Sequence, residues 1–283
     1  MALPPPAVPV PSSDGVTLAL HDLAGDGPPV LMCHPTGFLG MTWAPMAAEL
    51  AGVAHCWAVD FRGHGESTSP ASGDFSWVGM AEDVLAVVDA LGLSGGRGIG
   101  HSMGGAALLL AEEMRPGTFR ALWVFEPIVF PPVEGGGGRP NPLAEAARRR
   151  RPRFSDREAA YANFASKPPL SALAPAALRA YVDFGLRDTG DGDAVELACA
   201  PETEAAVFNR GHAHPTFSRL GEVGCPVAVA ASGDVAGPAQ LAPVIADALP
   251  HGTLERHPEV THFGPMEDPA GMAAAARTAL DLG

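Results

Sequence analysis

Gly100-His101-Ser102-Met103-Gly104-Gly105 is a Gly-x-Ser-x-Gly motif, and it lies between a short segment able to form a strand and a run of helix-forming residues. The first segment covers residues 95–99, and the helix formers cover residues 106–111. A tight strand-to-helix turn would hold the serine in a strained backbone, and the flanking glycines would avoid collisions between side chains. The motif therefore predicts that Ser102 is a nucleophile and that the backbone N–H of Met103 faces a developing oxyanion. A glycine-rich turn that carries a serine by chance is the alternative.

The composition restricts the classes of protein to consider. The chain has 283 residues, of which 47% are hydrophobic and 18% charged, as in a globular protein with a large core. Its net charge of −14 argues against a nucleic-acid or anionic-membrane partner. No apolar run reaches the length of a membrane span, and residues 1–6 lack the regions of a signal peptide. We therefore expect a cytoplasmic protein whose partner is a small-molecule substrate, either as a monomer or as a homodimer.

The four cysteines, Cys33, Cys56, Cys199 and Cys225, are far apart in the sequence. They form no C-x-x-C pair, and no histidine stands at a metal-ligand spacing from them. Three lie within or beside apolar, strand-like runs, where cysteine acts as a small hydrophobic residue. We expect all four to be reduced and structural, and we expect neither a metal ion nor a cofactor.

Strand-like and helix-like segments alternate along the chain. Predicted strands cover residues 16–20, 29–33, 54–59, 121–125, 226–231 and 252–256, together with the strand that leads into Ser102. Predicted helices cover residues 43–50, 77–91 and 241–249, the segment from Ser102 to about residue 115, and a last helix that starts at Asp268-Pro269. This alternation predicts an α/β fold with a mainly parallel sheet that is covered by helices on both faces.

Residues 131–220 interrupt the alternation. Pro131-Pro132 and the glycines 135–138 form a linker-like entry to helical segments rich in alanine and arginine. We expect an α/β core formed by residues 1–130 and 221–283, and a mostly helical cap of residues 131–220 inserted over the active site. Binding sites in such sheets form beyond the carboxyl ends of the strands, which is where Ser102 is predicted to lie.

Three further motifs accompany the serine motif. Cys33-His34-Pro35-Thr36-Gly37-Phe38 follows an early strand, Asp60-Phe61-Arg62-Gly63-His64-Gly65-Glu66-Ser67 follows the next one, and Val260-Thr261-His262-Phe263-Gly264-Pro265 lies near the end of the sequence. Together with the serine motif, this set resembles the signature of the α/β-hydrolase superfamily, in the right order along the whole core. The resemblance implies an α/β-hydrolase fold with an inserted cap. It implies no particular substrate, because the superfamily carries out many reactions.

The resemblance also implies roles for individual residues. Ser102 would be the nucleophile, and His262 the general base that takes the serine proton and returns it to the leaving group. The N–H groups of Met103 and Thr36 would form the oxyanion hole. Relatives usually have glycine where this chain has Pro35, but the implied donor is the next residue, so the hole keeps both N–H groups.

The loop of residues 60–67 carries Asp60, Arg62, His64 and Glu66, which together suggest a catalytic cluster. In relatives this segment is a structural loop, whose glycines allow tight turns and whose polar side chains bond to the backbone. We therefore expect the loop to be structural, and we expect the same of His34.

The third catalytic residue is where the chain departs from the family pattern. Most relatives have an aspartate three residues after a glycine that follows the penultimate strand, and Ala236 occupies that position here. Asp234 is nearby, but it would need a rearranged loop to reach His262. The superfamily also uses a position after the strand that follows the serine helix, and Glu126 stands there. A buried carboxylate would orient the imidazole and stabilise the imidazolium. Glu126 is therefore the favoured acid, Asp234 is the alternative, and a chain with no working acid is the third interpretation.

A serine nucleophile excludes the dehalogenase and epoxide-hydrolase reactions of the superfamily, which use aspartate at that position. What remains is acyl chemistry, and an apolar pocket would suit small to medium hydrophobic carboxylic esters or lactones cleaved through an acyl-enzyme. The candidates for lining the pocket are Phe38, Met41, Trp43, Phe130 and Phe263. The alternatives are a dedicated enzyme of specialised metabolism (a C–C hydrolase, acyltransferase or cyclase) and a non-catalytic binding protein.

The run Arg148-Arg149-Arg150-Arg151-Pro152-Arg153 stands out in a chain whose only lysine is Lys167. Arginine pairs with carboxylates, so one interpretation is that the run holds an anionic group of the substrate. The favoured interpretation is the solvated face of a cap helix.

Overall fold

The structure, a computed structural model, describes residues 5–93, 95–132 and 141–283. In these ranges the strands are β1 (Val8–Pro11), β2 (Thr17–Asp22), β3 (Pro29–Cys33), β4 (His55–Asp60), β5 (Gly96–His101), β6 (Phe119–Phe125), β7 (Arg153–Phe154), β8 (Leu186–Asp188), β9 (Val195–Leu197), β10 (Val227–Ser232) and β11 (Gly252–His257). The α-helices are α1 (Ala44–Leu50), α2 (Trp77–Leu91), α3 (Met103–Met114), α4 (Pro142–Arg148), α5 (Arg157–Ala165), α6 (Pro175–Phe184), α7 (Pro201–Arg210), α8 (Thr216–Arg219), α9 (Leu241–Ala248), α10 (Gly264–Glu267) and α11 (Pro269–Ala279). None of the helices in the described ranges combines the length and the apolar character that a membrane crossing requires.

Eight strands form the central sheet in the order β1-β2-β4-β3-β5-β6-β10-β11. The six strands from β4 to β11 in this order pair in parallel, whereas β2 is antiparallel to both β1 and β4. Parallel neighbours need crossover connections, and the helices between them provide these. The predicted mainly parallel α/β sheet is confirmed.

Successive residues of the central strands are buried on opposite faces of the sheet. In β3, Val30 and Met32 join the hydrophobic core on one face, whereas Leu31 and Cys33 join the core on the other. Helices α1 and α11 pack on the first face, and α2, α3 and α9 pack on the second. Burial on both faces explains why these strands are continuous apolar runs in the sequence.

The described residues 141–220 lie between β6 and β10 and contain helices α4 to α8. They also contain a small antiparallel sheet in the order β7-β9-β8, which the sequence analysis did not predict. Strands of two or three residues are too short to give a recognisable alternation of apolar and polar residues. Tyr181 and Phe154 of this inserted segment share a hydrophobic cluster with Phe38 of the core. The glycines 135–138 lie outside the described residues.

Strand β1 was also missed by the sequence analysis. Its sequence, Val8-Pro9-Val10-Pro11, has the composition of a proline-rich leader, and proline cannot donate a hydrogen bond to a neighbouring strand. β1 tolerates its prolines because it lies at the edge of the sheet and pairs only with β2. The other predicted strands and helices of the core agree with the observed bounds to within about two residues.

Candidate active site

The turn between β5 and α3 holds Ser102 at the carboxyl end of a central strand. Ser102 has a φ of 55° and a ψ of −115°, which is a strained backbone for a residue with a side chain. A Cβ atom added to Gly104 would lie 2.1 Å from the carbonyl oxygen of Cys33, and one added to Gly100 would lie 2.7 Å from the Cα of Gly105. Only glycine allows the turn and the neighbouring strand β3 to approach so closely. The chain thus forms a strained strand–turn–helix connection around the serine.

Two backbone N–H groups close to the serine are free to bind an anion. The N–H of Met103 begins α3, and neither it nor the N–H of Thr36 donates a hydrogen bond within the described ranges. The Thr36 hydroxyl donates to Sδ of Met103 over 3.4 Å, so the two residues are in contact. Pro35 has no N–H, but it precedes the residue whose N–H is needed. Two such donors can stabilise the negative charge of a tetrahedral intermediate.

Glu126 and His262 are joined by a short hydrogen bond. Glu126 follows β6 and has no accessible surface, and its Oε2 lies 2.5 Å from Nδ1 of His262. Its Oε1 accepts the N–H of Ser232 at 2.8 Å. Burial alone would raise the pKa of Glu126, but the hydrogen bonds from His262 and Ser232 and the attraction of the imidazole hold that pKa below its usual value. The ionised carboxylate therefore accepts from Nδ1–H of His262, so Nε2 is the ring nitrogen that can accept a proton.

Asp234 contacts the same loop through its backbone. The exposed carboxylate of Asp234 accepts the main-chain N–H of His262 at 3.2 Å. The imidazole is thus hydrogen-bonded to Glu126, whereas Asp234 holds the main chain that carries the imidazole. Ala236 has no side-chain group that can hydrogen-bond to the imidazole.

The imidazole of His262 lies beside the serine motif. It packs edge-on against His101, the residue before Ser102, with 4.8 Å between the ring centroids. No hydrogen bond joins Ser102 Oγ to another group of the described ranges. Burial and the neighbouring His262 hold the pKa of His101 well below its usual value. His101 is therefore neutral and adds no positive charge beside His262.

The charged loop of residues 60–67 forms its hydrogen bonds within the core. Asp60 is fully buried, accepts two backbone N–H groups at 2.6 and 2.8 Å, and lies 3.1 Å from Nε2 of His21. Arg62 forms a two-point ion pair with Asp83, with N–O distances of 2.9 and 2.7 Å. These bonds satisfy the buried charges, which agrees with a structural loop.

Two histidines, His34 within it and His64 outside it, hydrogen-bond to the loop of residues 34–38, which we call the oxyanion loop. His34 donates from Nδ1 to the carbonyl of Pro35 at 2.8 Å, and its Nε2 accepts a backbone N–H of the 60–67 loop at 3.0 Å. His64 accepts the N–H of Gly37 at Nε2, over 3.2 Å. Burial, together with the neighbouring His64, lowers the pKa of His34 to about 3, and burial also lowers the pKa of His64. Both rings are therefore neutral.

Aromatic side chains surround the pair formed by Glu126 and His262. The ring of Phe263 lies 5.3 Å from the imidazole of His262, and the ring of Phe38 lies 5.6 Å from that of Phe263. Tyr181 of α6 lies 5.1 Å from Phe38, which extends the aromatic group into the inserted segment. These rings give the surroundings of the imidazole an apolar character.

The other three residues predicted to line a pocket differ in their burial and contacts. Trp43 has no accessible surface and is part of the hydrophobic core, so it lines no pocket. The sequence does not distinguish these two roles, because an apolar residue beside a motif can either pack in the core or line a pocket. Met41 is 5% exposed and belongs to the same core cluster. Phe130 is half-buried and stacks on His212, with 4.0 Å between the ring centroids.

The arginine run is largely paired with carboxylates of the protein itself. Arg150 points inward, where it forms an ion pair with Glu204 and donates to the Tyr181 hydroxyl at 2.5 Å. Arg148 and Arg153 form ion pairs with exposed carboxylates of the inserted segment. The positive charge of Arg150 is therefore already neutralised within the protein.

Most of the chain matches a known protein family. The model of the alpha/beta hydrolase family matches residues 30–275. The chain belongs to the alpha/beta hydrolase family. The matched range includes the oxyanion loop, the serine motif, Glu126 and His262.

Two relatives of this hydrolase match over shorter ranges. The chain is 30% identical over 114 residues to an epoxide hydrolase of Caballeronia sordidicola, covering 40% of this chain and 34% of the relative. It is 37% identical over 100 residues to protein phosphatase methylesterase 1 of Mus musculus, covering 32% of this chain and 25% of the relative. The chain thus spans about a third or less of the length of these relatives. Among solved structures, an E-2-(acetamidomethylene)succinate hydrolase superposes with a TM-score of 0.78 at 19% identity, covering 97% of this chain and 99% of that one, which is a likeness of fold.

Three residues around this hydrolase site were missed by the sequence analysis: His101, Tyr181 and Glu204. His101 is part of the serine motif, so its position could have been noted from the sequence. Tyr181 and Glu204 lie more than a hundred residues after the oxyanion loop that they contact. No local pattern indicates such a contact, because it depends on how the inserted segment packs.

Proposed function

We propose that this alpha/beta hydrolase cleaves a small to medium hydrophobic carboxylic ester or lactone through an acyl-enzyme. The observation that carries the proposal is the 2.5 Å hydrogen bond between the buried Glu126 and Nδ1 of His262. It supports a triad in which Glu126 is the acid, His262 the base and Ser102 the nucleophile.

The proposed reaction follows from the positions of these groups. Nε2 of His262 takes the proton of Ser102 as Oγ attacks the carbonyl carbon, and the N–H groups of Thr36 and Met103 stabilise the resulting oxyanion. The imidazolium gives its proton to the leaving alkoxide as the tetrahedral intermediate collapses to the acyl-enzyme. A water molecule, activated by the same imidazole, then attacks the acyl carbon and releases the acid. The carboxylate of Glu126 stabilises the imidazolium in both halves of the reaction.

The serine also argues against epoxide hydrolysis, the activity named for one relative. An aspartate that opens an epoxide forms an ester, whose carbonyl carbon water can then attack. A serine that opened an epoxide would form an ether, which offers water no carbonyl carbon. The nucleophile Ser102 therefore favours acyl substrates, such as the ester implied by the name of the methylesterase relative.

The surroundings of the serine support an apolar substrate of limited size. Ser102 is 8% exposed, and the rings of Phe38, Tyr181 and Phe263 lie near the imidazole. An apolar site with few polar groups suits a hydrophobic acyl or alcohol group.

The proposal is tested by the hydrolysis of p-nitrophenyl esters from acetate to long acyl chains, with Ser102→Ala as the control. We expect turnover that depends on Ser102 and that is fastest for short or medium chains. Hydrolysis that persists in Ser102→Ala, or wild-type hydrolysis no faster than that of the variant, would contradict the proposal.

A dedicated pathway enzyme (a C–C hydrolase, acyltransferase or cyclase) is the second candidate. The 8% exposure of Ser102 favours it, because a serine so enclosed is reached only by a substrate that fits the enclosure. This candidate predicts that a fluorophosphonate labels Ser102 while simple esters are not turned over. A non-catalytic binding protein on the same fold predicts no labelling.

We further propose that residues 131–220 act as the cap over the core of residues 1–130 and 221–283, with a small-molecule substrate between them. Tyr181 and Phe38 share one hydrophobic cluster, which supports packing of the cap against the core. A cytoplasmic location is supported by the four cysteines, which are buried and free in the structure.

A further inference from the structure

Gly37 follows the oxyanion-hole residue Thr36 and is held from two sides. Its N–H donates to Nε2 of His64 at 3.2 Å, and its backbone has a φ of +79°. On the other side, a Cβ atom added to Gly37 would lie 2.6 Å from Oε1 of Glu204, so the carboxylate of α7 packs directly against this glycine. The peptide unit between Thr36 and Gly37 is thus confined between a buried imidazole and a buried carboxylate.

The hydrogen bonds of His64 determine which of its nitrogens carries the proton. Nε2 accepts the N–H of Gly37, so Nε2 carries no proton, and Nδ1–H donates to the carbonyl of Arg62 at 3.0 Å. His64 has no accessible surface, and Arg62 is itself held by its two-point ion pair with Asp83. The ion pair between Arg62 and Asp83 therefore holds the imidazole of His64, and with it the acceptor Nε2, in one position.

The peptide units on both sides of the Thr36 Cα atom are each held by an imidazole. His34 binds the carbonyl of Pro35, which belongs to the same planar unit as the N–H of Thr36. His64 binds the N–H of Gly37, which belongs to the next unit. Because the peptide units are planar, holding both of them leaves Thr36 little freedom in φ and ψ. The direction of its N–H then depends on both histidines and on the N–H of Phe38, which also donates to the carbonyl of Pro35 at 3.2 Å.

We propose that His64 is a positioning residue for the oxyanion hole: its Nε2 holds the Gly37 N–H and thereby aims the N–H of Thr36 at the oxyanion. This inference rests on the proposed function, because it assumes that the Thr36 N–H acts on a tetrahedral intermediate. His64 touches no substrate and acts only through the loop. A purely structural role would make His64 important for stability without a specific effect on the chemical step.

Two substitutions separate the two hydrogen bonds of the ring. In His64→Gln, the amide oxygen reaches the place of Nε2 and can accept from Gly37. In His64→Asn, the shorter amide can still donate to the carbonyl of Arg62, but it has no atom at the place of Nε2. His55→Gln, at the start of β4, is the control for a histidine outside the site.

We expect His64→Asn to lower kcat for a p-nitrophenyl ester by about 10- to 100-fold, which is less than the ~10²–10³ for outright removal of an oxyanion donor. KM should change by less than about threefold, because the oxyanion interaction is made only in the transition state. His64→Gln should recover most of the lost kcat, and His55→Gln should leave kcat unchanged. Equal kcat values for His64→Asn and His64→Gln, or a loss confined to KM, would overturn the proposal.

Two further measurements distinguish a failure of this inference from a failure of the proposed function. Fluorophosphonate labelling of the wild type tests Ser102 first, because absent labelling and absent turnover would overturn the proposed function and, with it, this inference. If the fluorophosphonate labels the wild type and His64→Asn at the same rate, the inference alone would be overturned.

Long-range ¹H–¹⁵N NMR of the wild-type imidazole does not depend on any variant folding. It should show the Nδ1–H tautomer of His64, and a proton on Nε2 at neutral pH would refute the proposal.

Discussion

Replacement of Glu126 by Gln should cost about 10⁴-fold in kcat, close to 5 kcal/mol of transition-state stabilisation. The structure determines how the new amide would be oriented. Its oxygen must take the place of Oε1, because the N–H of Ser232 points there at 2.8 Å. The amide NH₂ then faces Nδ1 of His262 in place of Oε2, at a position 2.5 Å away. An NH₂ group can only donate, so it selects the tautomer with its proton on Nε2, which cannot accept the proton of Ser102.

The assay is steady-state hydrolysis of a p-nitrophenyl ester by wild type, Glu126→Gln and Asp234→Asn, with thermal unfolding to show that each variant is folded. Asp234→Asn retains a carbonyl oxygen that can accept the main-chain N–H of His262, so we expect its kcat to stay within about threefold of wild type. The reverse result, a large loss in Asp234→Asn and a small one in Glu126→Gln, would refute the reasoning and make Asp234 the acid.

Three other substitutions test the packing. Arg150→Met should destabilise the protein by about 3 kcal/mol in urea unfolding, because it leaves Glu204 buried and unpaired. Arg149→Met, at an exposed neighbouring position, should change stability by less than about 0.5 kcal/mol. Equal effects of the two substitutions would count against the inward ion pair. Burial raises the pKa of Glu113 to about 8, so between pH 4.5 and 8 the folded protein keeps a proton that the unfolded chain has lost, and stability falls as the pH rises. Glu113→Gln should therefore raise the free energy of unfolding by about 4 kcal/mol at pH 8 and by less than about 1 kcal/mol at pH 5, as urea unfolding at the two pH values would show. An equal gain at both pH values would contradict this. Gly104→Ala should cost about 3 kcal/mol or more and most of the activity, because its Cβ would lie 2.1 Å from a backbone carbonyl of β3; a variant with native melting temperature and kcat would contradict the packing of the turn.

The sequence was a good guide where local interactions decide the structure. The strands of the sheet centre are apolar runs because both of their faces are buried, so they were recognised with nearly correct bounds. Ser102 was found because a sharp turn needs glycine at fixed positions next to it. β1 and the small sheet β7-β9-β8 were missed, since an edge strand tolerates proline and strands of two or three residues show no pattern.

The choice between the two acids shows where local reasoning ends. The sequence left Glu126 and Asp234 as alternatives, because both follow strands whose carboxyl ends meet at the same edge of the sheet. The structure brings Glu126 to the imidazole of His262 and Asp234 only to its backbone. Trp43 illustrates the same limit, because a tryptophan beside a motif gives no indication of whether it lines a pocket or fills the core.

By itself, then, the sequence determined the α/β fold, the serine motif, the oxyanion loop and the candidate base, since each depends on residues that are close together in the chain. Only the tertiary structure decided which carboxylate bonds to the imidazole, how His64 and Glu204 confine Gly37, and that Arg150 is neutralised within the protein. These contacts join segments from 27 to 167 residues apart. Their geometry is set by the packing of whole elements against one another, and no local sequence pattern records that packing.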